Sequence, residues 1–493
     1  MLNVFLKNHD YKYEVSELLK LFTSQFEFIE DEDTKDNILV NEVYVKNDLI
    51  ISKTYFYQNN KLALHYEEEA VIDILDYDDK IMRKESKIII KRSIFKVLSK
   101  IYKSFVPWGI LTGIRPTKII HELMDEKKSK NDIEDILKKK YQMDESKVDL
   151  AYNIACVERQ FVYPIDENKV ALYISVPFCP TRCVYCSFPS NTLKQWGHLK
   201  KEYLHCLIKE IKGVSKLVKK TNKEIETVYI GGGTPTTLES DELSLLIDAL
   251  YENFDLSKMK EFTVEAGRVD TITIEKLKVL KEKYVSRISI NPQTMNDETL
   301  KEIGRAHNVE DIKKCFYMAR EIGFDNINMD IILGLPKETP EMVEKTLKEI
   351  SKLDPESLTV HTMAIKRASK LNENIDDYEF SHYMDMVKMI DMSMEYAYKM
   401  NLIPYYMYRQ KHMLGNLENI GYAKKGFECI YNIQIMEEKQ TIYALGAGAN
   451  SKVVYIDENR IERVANVKNI EHYINRVDEM IKKKEEEVLK DAY

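Results

Sequence analysis

The sequence predicts an α/β fold: a partial (β/α)6 barrel over residues 166–375, an α+β domain before it (1–165) and an α+β extension after it (376–493). Three observations carry this. Six short runs rich in β-branched and aromatic residues are each followed by a longer amphipathic run, three cysteines fall directly after the first run, and a glycine triplet falls directly after the second. Such alternation builds a parallel sheet through right-handed crossovers. It places reactive side chains at the C-terminal ends of the strands.

In chain order, "ILVNEVYVKNDLIISKTYFY" alternates polar with β-branched and aromatic residues, which predicts a small antiparallel sheet within the first 85 or so residues. "SKIIIKRSIFKVLSKIYKSF" (86–105) reads as a basic amphipathic helix with its lysines in solvent; RNA binding by its basic face is the lesser reading. The six barrel strands are "ALYISV", "ETVYI", "EFTVEA", "SRISI", "NINMDIIL" and "SLTVHTM", with helical runs such as "DELSLLIDALYENF" and "NVEDIKKCFYMAREIGF" between them. Beyond them come a helix ("SHYMDMVKMIDMSMEYAYKM") and short strands around "YYMYRQK" and "TIYALGAG". The chain closes on a charged helix whose "KKKEEE" run reads as a solvated face.

A chain of 493 residues is too long for one compact core. With 73 basic and 81 acidic residues the formal charge is -8, which gives no global field to attract nucleic acid. No apolar run is long enough to span a bilayer and "MLNVFLKNHD" has no cleavable apolar segment, so neither a membrane nor an export route is expected. Cys156, Cys206, Cys315 and Cys429 are scattered without the spacing of a disulfide framework, in keeping with a reducing cytoplasm.

The other three cysteines are different. Cys179, Cys183 and Cys186 form C-x3-C-x2-C in a loop stiffened by Pro177, Pro180 and Pro189. Thiolates this close suit a soft metal or an iron–sulfur centre. Structural zinc takes four closed ligands, and no second Cys/His pair follows; three thiolates instead hold a 4Fe-4S cube with one iron open to an outside ligand. After the second strand, Gly231, Gly232 and Gly233 let backbone approach an aminoacyl group without side-chain clash.

"YISVPFCPTRCVYCSF" and "YIGGGTPTTL" together resemble the cluster and glycine loops of radical S-adenosylmethionine (SAM) enzymes. The resemblance implies a radical SAM barrel in which the three cysteines bind the 4Fe-4S cluster and SAM chelates the free iron. Its cleavage to methionine and a 5′-deoxyadenosyl radical then supplies hydrogen abstraction. It further implies SAM-binding roles for Gly232, Gly233, Thr234, Glu265, Gln293, Arg305 and Asp330. Carboxylates and amides suit the ammonium and ribose of SAM, and an arginine suits its carboxylate. Arg287 also matches, with a structural ion pair as the equal alternative. Tyr173 matches a tyrosine near the sulfonium, where a ring face suits a cation; plain strand packing is its equal alternative.

With "NINMDIILGLP" and "ALGAGANS", the chain is similar to the oxygen-independent coproporphyrinogen III oxidase group, and "PWGILTGIRPTKIIHELM" and "PYYMYRQKHMLGNLENIGYA" resemble its HemZ, or coproporphyrinogen dehydrogenase, branch. The implied activity is that of an oxidoreductase of heme and porphyrin biosynthesis, anaerobic decarboxylation of coproporphyrinogen III to protoporphyrinogen IX, with a flavodoxin or ferredoxin as electron donor. Residues 376–493 would then cover the tetrapyrrole. Tyr405, Tyr406 and Tyr408 offer stacking faces, Arg409 and Lys411 offer charges for propionates, and His361 at the sixth strand's end faces substrate or serves the structure. As a strand, this stretch puts Tyr406, Tyr408 and Gln410 on one face and Tyr405, Met407, Arg409 and Lys411 on the other. Two departures matter. Phe188 stands where the oxidases carry a fourth cysteine, so a second SAM site does not carry over. Tyr431 stands where a related heme-chaperone branch has its motif histidine, with Asn432 kept. A heme chaperone and a heme-modifying radical enzyme are the alternative readings.

Overall fold

A computed structural model of the chain describes residues 1–31, 37–71, 79–113, 115–186, 191–364, 383–410, 413 and 417–490. Phe188, Pro189 and Lys411 lie outside the described residues. Two compact units are present, Met1–Asn153 and Ile154–Tyr493, and the division falls within the helix Glu145–Val162. Among the described residues no helix is long and apolar enough to cross a membrane.

In the first unit the strands β1 (Leu2–Lys7), β2 (Phe26–Phe28), β3 (Ile38–Lys46), β4 (Leu49–Gln58) and β5 (Lys61–Val71) form one sheet in the order β2-β1-β3-β4-β5. The sheet is mixed, not antiparallel throughout: β1 runs parallel to both β2 and β3, because the helix Lys12–Leu19 returns the chain before the next strand begins. The meander β3-β4-β5 is antiparallel as expected. Its turns, Asn47-Asp48 and Asn59-Asn60, hold positive φ at both positions, a conformation Asn and Asp tolerate best after glycine.

The helix Asp79–Tyr102 packs on β4 and β5, burying Ile88, Ile89, Ile90, Ile94, Val97 and Leu98. Its cations are not all in solvent. Arg92 Nη2 lies 2.7 Å from Glu68, Lys96 pairs with the same carboxylate, and Lys91 Nζ donates to the Ile110 carbonyl at 3.3 Å. A basic face spent on internal partners leaves little for a polyanion.

In the second unit the six expected strands are all present: Lys169–Val176, Glu224–Gly232, Glu261–Gly267, Arg287–Ile290, Ile327–Leu333 and Ser357–Thr362, paired in parallel in sequence order. Between them run helices with readable ends. Asn308 and Asp311 form a reciprocal cap at the start of Val309–Ile322, and Gly323 closes it with φ +100°. Residues 376–493 join the same sheet at both edges, which makes it eleven-stranded. Asn419–Ala423 pairs antiparallel with the sixth core strand and Ile403–Tyr408 lies outside it, while Thr441–Leu445 pairs parallel with the first core strand and leads into an antiparallel ribbon.

Candidate active site

At the C-terminal ends of the core strands lies a cavity of about 620 Å³, lined by the three cysteines, Gly232, Gly233, Thr234, Glu265, Gln293, Arg305, Asp330, Tyr173 and His361; Arg409 and the fully buried Tyr405 do not line it, and Lys411 lies outside the described residues. One end is the cysteine loop. Cys179, Cys183 and Cys186 are free thiols, the first two buried and the third half-buried. The glycine turn is laced to this loop by backbone: Gly233 N donates to Val176 O at 2.8 Å and Thr234 N to Phe178 O at 2.7 Å. Thr234 Oγ1 also donates to Cys179 Sγ at 3.5 Å. From the third strand's end Arg268, forked onto Asp270 at 2.9 and 2.7 Å, reaches the Thr181 carbonyl (3.0 Å) and Cys183 Sγ (3.7 Å). Burial pushes the Cys179 thiol up to about 11, against the Thr234 bond.

These residues fit a cluster and an aminoacyl ligand. A Cβ on Gly233 would lie 3.0 Å from Cys179 Sγ and 2.6 Å from Phe178 O, and one on Gly232 (φ +108°) would lie 2.9 Å from Ser175 Oγ. Gln293 Oε1 and Arg305 Nε are buried without a hydrogen-bond partner. Such atoms are costly unless a ligand satisfies them. Arg305 is otherwise aimed by Tyr185 OH (3.0 Å), which lies between two of the cysteines, and by Asn291 O (3.1 Å).

Two carboxyls on the wall differ in charge state. Glu265 is pushed up to about 7 by burial, although Tyr229 OH donates to it at 2.6 Å. Burial also opposes ionisation of Asp330, but His361 beside it and Asn328 Nδ2 (2.6 Å) hold its carboxyl below the ordinary range. His361 Nε2 is 3.7 Å from Asp330 Oδ2, and its Nδ1 shares a 3.2 Å hydrogen bond with Tyr408 OH.

Part of the cavity wall is aromatic. Tyr173, Tyr229 and Tyr431 form a stack with ring centroids 4.5 to 6.1 Å apart and planes within 25°, and Tyr406 stacks on Tyr408 at 6.3 Å. Tyr229 carries no expectation from sequence, although it shares a face with Gly231 two residues on. Arg409 requires a correction. Tyr406, Tyr408 and Gln410 line the cavity, while Arg409, just past the strand Ile403–Tyr408, does not: it is 3% exposed, its pKa lowered to about 10 by burial.

The radical SAM superfamily model matches residues 173–350. The oxygen-independent coproporphyrinogen-III oxidase-like protein HemZ of Bacillus subtilis is 42% identical over 384 residues, 76% of this chain and 76% of that protein. The heme chaperone HemW of the same organism is 32% identical over 308 residues, 62% of this chain and 76% of its own. Among solved structures, coproporphyrinogen III oxidase (HemN) from Escherichia coli overlays 66% of this chain and 73% of its own at a TM-score of 0.51 and 24% identity, a likeness of fold. The superfamily's cofactors are a 4Fe-4S cluster and SAM, and the donors around this cavity suit both. A match of this extent to HemZ, on a barrel whose cysteine and glycine loops meet at one cavity, means that the chain belongs to the radical SAM superfamily, in the HemZ-like branch of the oxygen-independent coproporphyrinogen III oxidase group.

Proposed function

We propose that this chain is a radical SAM oxidoreductase that decarboxylates two of the propionates of coproporphyrinogen III to vinyl groups. The observation that carries this reading is the continuity of the cavity: the cysteine loop and the stacked tyrosines open onto one space. Bound at the cysteine loop, the cluster and SAM supply a primary carbon radical strong enough to take a hydrogen atom from an unactivated C–H bond.

The protein's own groups bind, orient and exclude water. Gly232 and Gly233 admit the aminoacyl part beside Cys179, Arg305 takes its carboxylate, and Gln293 offers an unpaired acceptor. Asp330, kept ionised, suits a ribose hydroxyl or the cationic end of SAM. The Tyr173 face suits the sulfonium. Tyr229, Tyr431, Tyr406 and Tyr408 offer ring faces to a tetrapyrrole, and His361 with Tyr408 presents polar atoms at its edge. For each of the two propionates, one hydrogen atom would pass to the deoxyadenosyl group that SAM supplies, one electron would pass to an external one-electron acceptor, and one carbon dioxide would be released. A flavodoxin or ferredoxin is the donor for SAM cleavage.

Anaerobic incubation with SAM, dithionite and coproporphyrinogen III tests this. Products lighter by carbon dioxide and two hydrogens per propionate, with 5′-deoxyadenosine formed, are expected; unchanged substrate beside SAM cleavage rejects the reaction. The likeness to HemW favours a second reading, heme binding and delivery. Tyr431 is its candidate ligand, yet burial pushes that phenol's pKa well up, whereas iron ligation by tyrosine needs the phenolate. Incubation with heme, read by a charge-transfer band lost in Tyr431→Phe, decides between them.

A further inference from the structure

The cations lining the cavity are paired in different ways. Arg268 is forked onto Asp270, and Lys452 Nζ lies 2.8 Å from Glu438 Oε1. Arg305 faces the cysteine loop through Tyr185. Arg287 differs from all of them. It opens the fourth core strand, is 1% exposed, and lies among Tyr229, Tyr405 and Cys429 at the aromatic wall. Its Nη2 donates to Ser357 Oγ at 3.1 Å, its Nε has no partner, and among the described residues no carboxylate forms an ion pair with it.

Glu261 contributes a favourable charge to Arg287, but among the described residues none of its hydrogen bonds goes to the guanidinium. Its oxygens accept from Ile430 N (2.7 Å), Tyr431 N (3.3 Å) and Cys429 Sγ (3.2 Å), fixing the start of the helix Ile430–Glu437. A guanidinium cannot shed its proton to relieve burial, and a buried charge without an ion-pair partner is among the costliest features a fold can carry. Its retention on a cavity wall points to an anionic ligand.

We propose that Arg287 anchors a carboxylate of the substrate at the tyrosine-lined wall of the cavity. The proposal rests on the tetrapyrrole reading above and assigns to Arg287 the propionate contact expected of Arg409, which does not line the cavity. The planar fork suits a carboxylate bidentately, and Ser357 fixes its orientation.

The test is fluorescence titration of the anaerobically reconstituted enzyme with coproporphyrin III and with its tetramethyl ester, comparing wild type, Arg287→Met and Arg287→Lys. Arg287→Met is expected to weaken binding of the acid about tenfold or more, the loss of a charge-assisted hydrogen bond. Affinity for the ester should match wild type, and Arg287→Lys should recover part of the loss. The melting temperature of Arg287→Met should not fall, because an apolar side chain of similar volume replaces an unpaired charge. Equal affinity for the acid in wild type and Arg287→Met overturns the anchor, as does a parallel loss for both ligands with a lowered melting temperature. A wild type that binds coproporphyrin III but leaves coproporphyrinogen III unchanged rejects the reaction and keeps the anchor; one that binds neither porphyrin rejects both.

Discussion

Glu265 holds a carboxyl where its proton is favoured. Burial raises its pKa from the ordinary 4.5 to about 7, and nearby Asp330 adds repulsion, against the Tyr229 hydrogen bond and the Arg287 charge. Between those two pH values the folded chain keeps a proton that the unfolded chain has released. The stability this group contributes is therefore full below about 4.5 and is lost as pH rises through about 7. In cluster-free protein the melting temperature should fall across that window more steeply for wild type than for Glu265→Gln; parallel curves would mean that Glu265 titrates normally. Glu265 sits in the C-terminal half of its strand, Asp330 at the middle of its own and the three cysteines in the loop after the first strand, positions the strand–loop pattern of the sequence marks out. Arg409 was not legible in this way: the alternation puts it on the face opposite Tyr406 and Tyr408, but only the pairing of Ile403–Tyr408 with Asn419–Ala423 shows which of those faces meets the cavity. Tyr229 was legible in principle, by counting back two residues from Gly231, but an aromatic inside a strand also reads as core.

At the level of elements, three successive glycines end the second core strand, and each makes a different close approach. A Cβ on Gly231 would meet the far ends of the Tyr229 and Glu265 side chains at 3.0 and 3.1 Å; one on Gly232 would press on Ser175 and Val176; one on Gly233 would press on Phe178 O and Cys179 Sγ. Side-chain tips can move and backbone cannot. Gly233→Ala should therefore yield protein with little brown chromophore and substoichiometric iron and sulfide after anaerobic reconstitution. Gly231→Ala should keep the cluster and lose SAM affinity through displaced Glu265; equal cluster content in the two variants would refute this division of labour. All six core strands, and the helices between them, were legible from periodicity. The partnership of strands from 376–493 with both sheet edges was not, because edge pairing is set by distant chain and leaves no local pattern.

Across the whole second unit, the last helix is tied to the cavity through one buried carboxylate. Glu210 of the helix Lys200–Lys220 accepts from Gly446 N (2.8 Å), Asn466 Nδ2 (2.9 Å), Tyr473 OH (2.6 Å) and Lys484 Nζ (2.8 Å), with Lys484 1% exposed. Two turns earlier on the same helix, Tyr203 OH donates to Ser175 O at 2.7 Å and accepts from Ala447 N at 3.1 Å, which clamps the first core strand to a cavity-lining loop. Lys484 belongs to the "KKKEEE" run read from sequence as solvated. Its spacing from buried Val477 and Met480 turns it inward, a helical period the charge run disguises. Lys484→Met strands the Glu210 carboxylate without its cation and should cost about 3–5 kcal/mol in urea unfolding followed by circular dichroism. Adding Glu210→Gln removes the stranded charge and keeps an acceptor oxygen for Gly446 N and Tyr473 OH, at the cost of an amide N–H facing the Asn466 amide. The double variant should therefore be more stable than Lys484→Met alone. A double variant as unstable as the two single losses added together would mean that the donors, and not the ion pair, hold this hub.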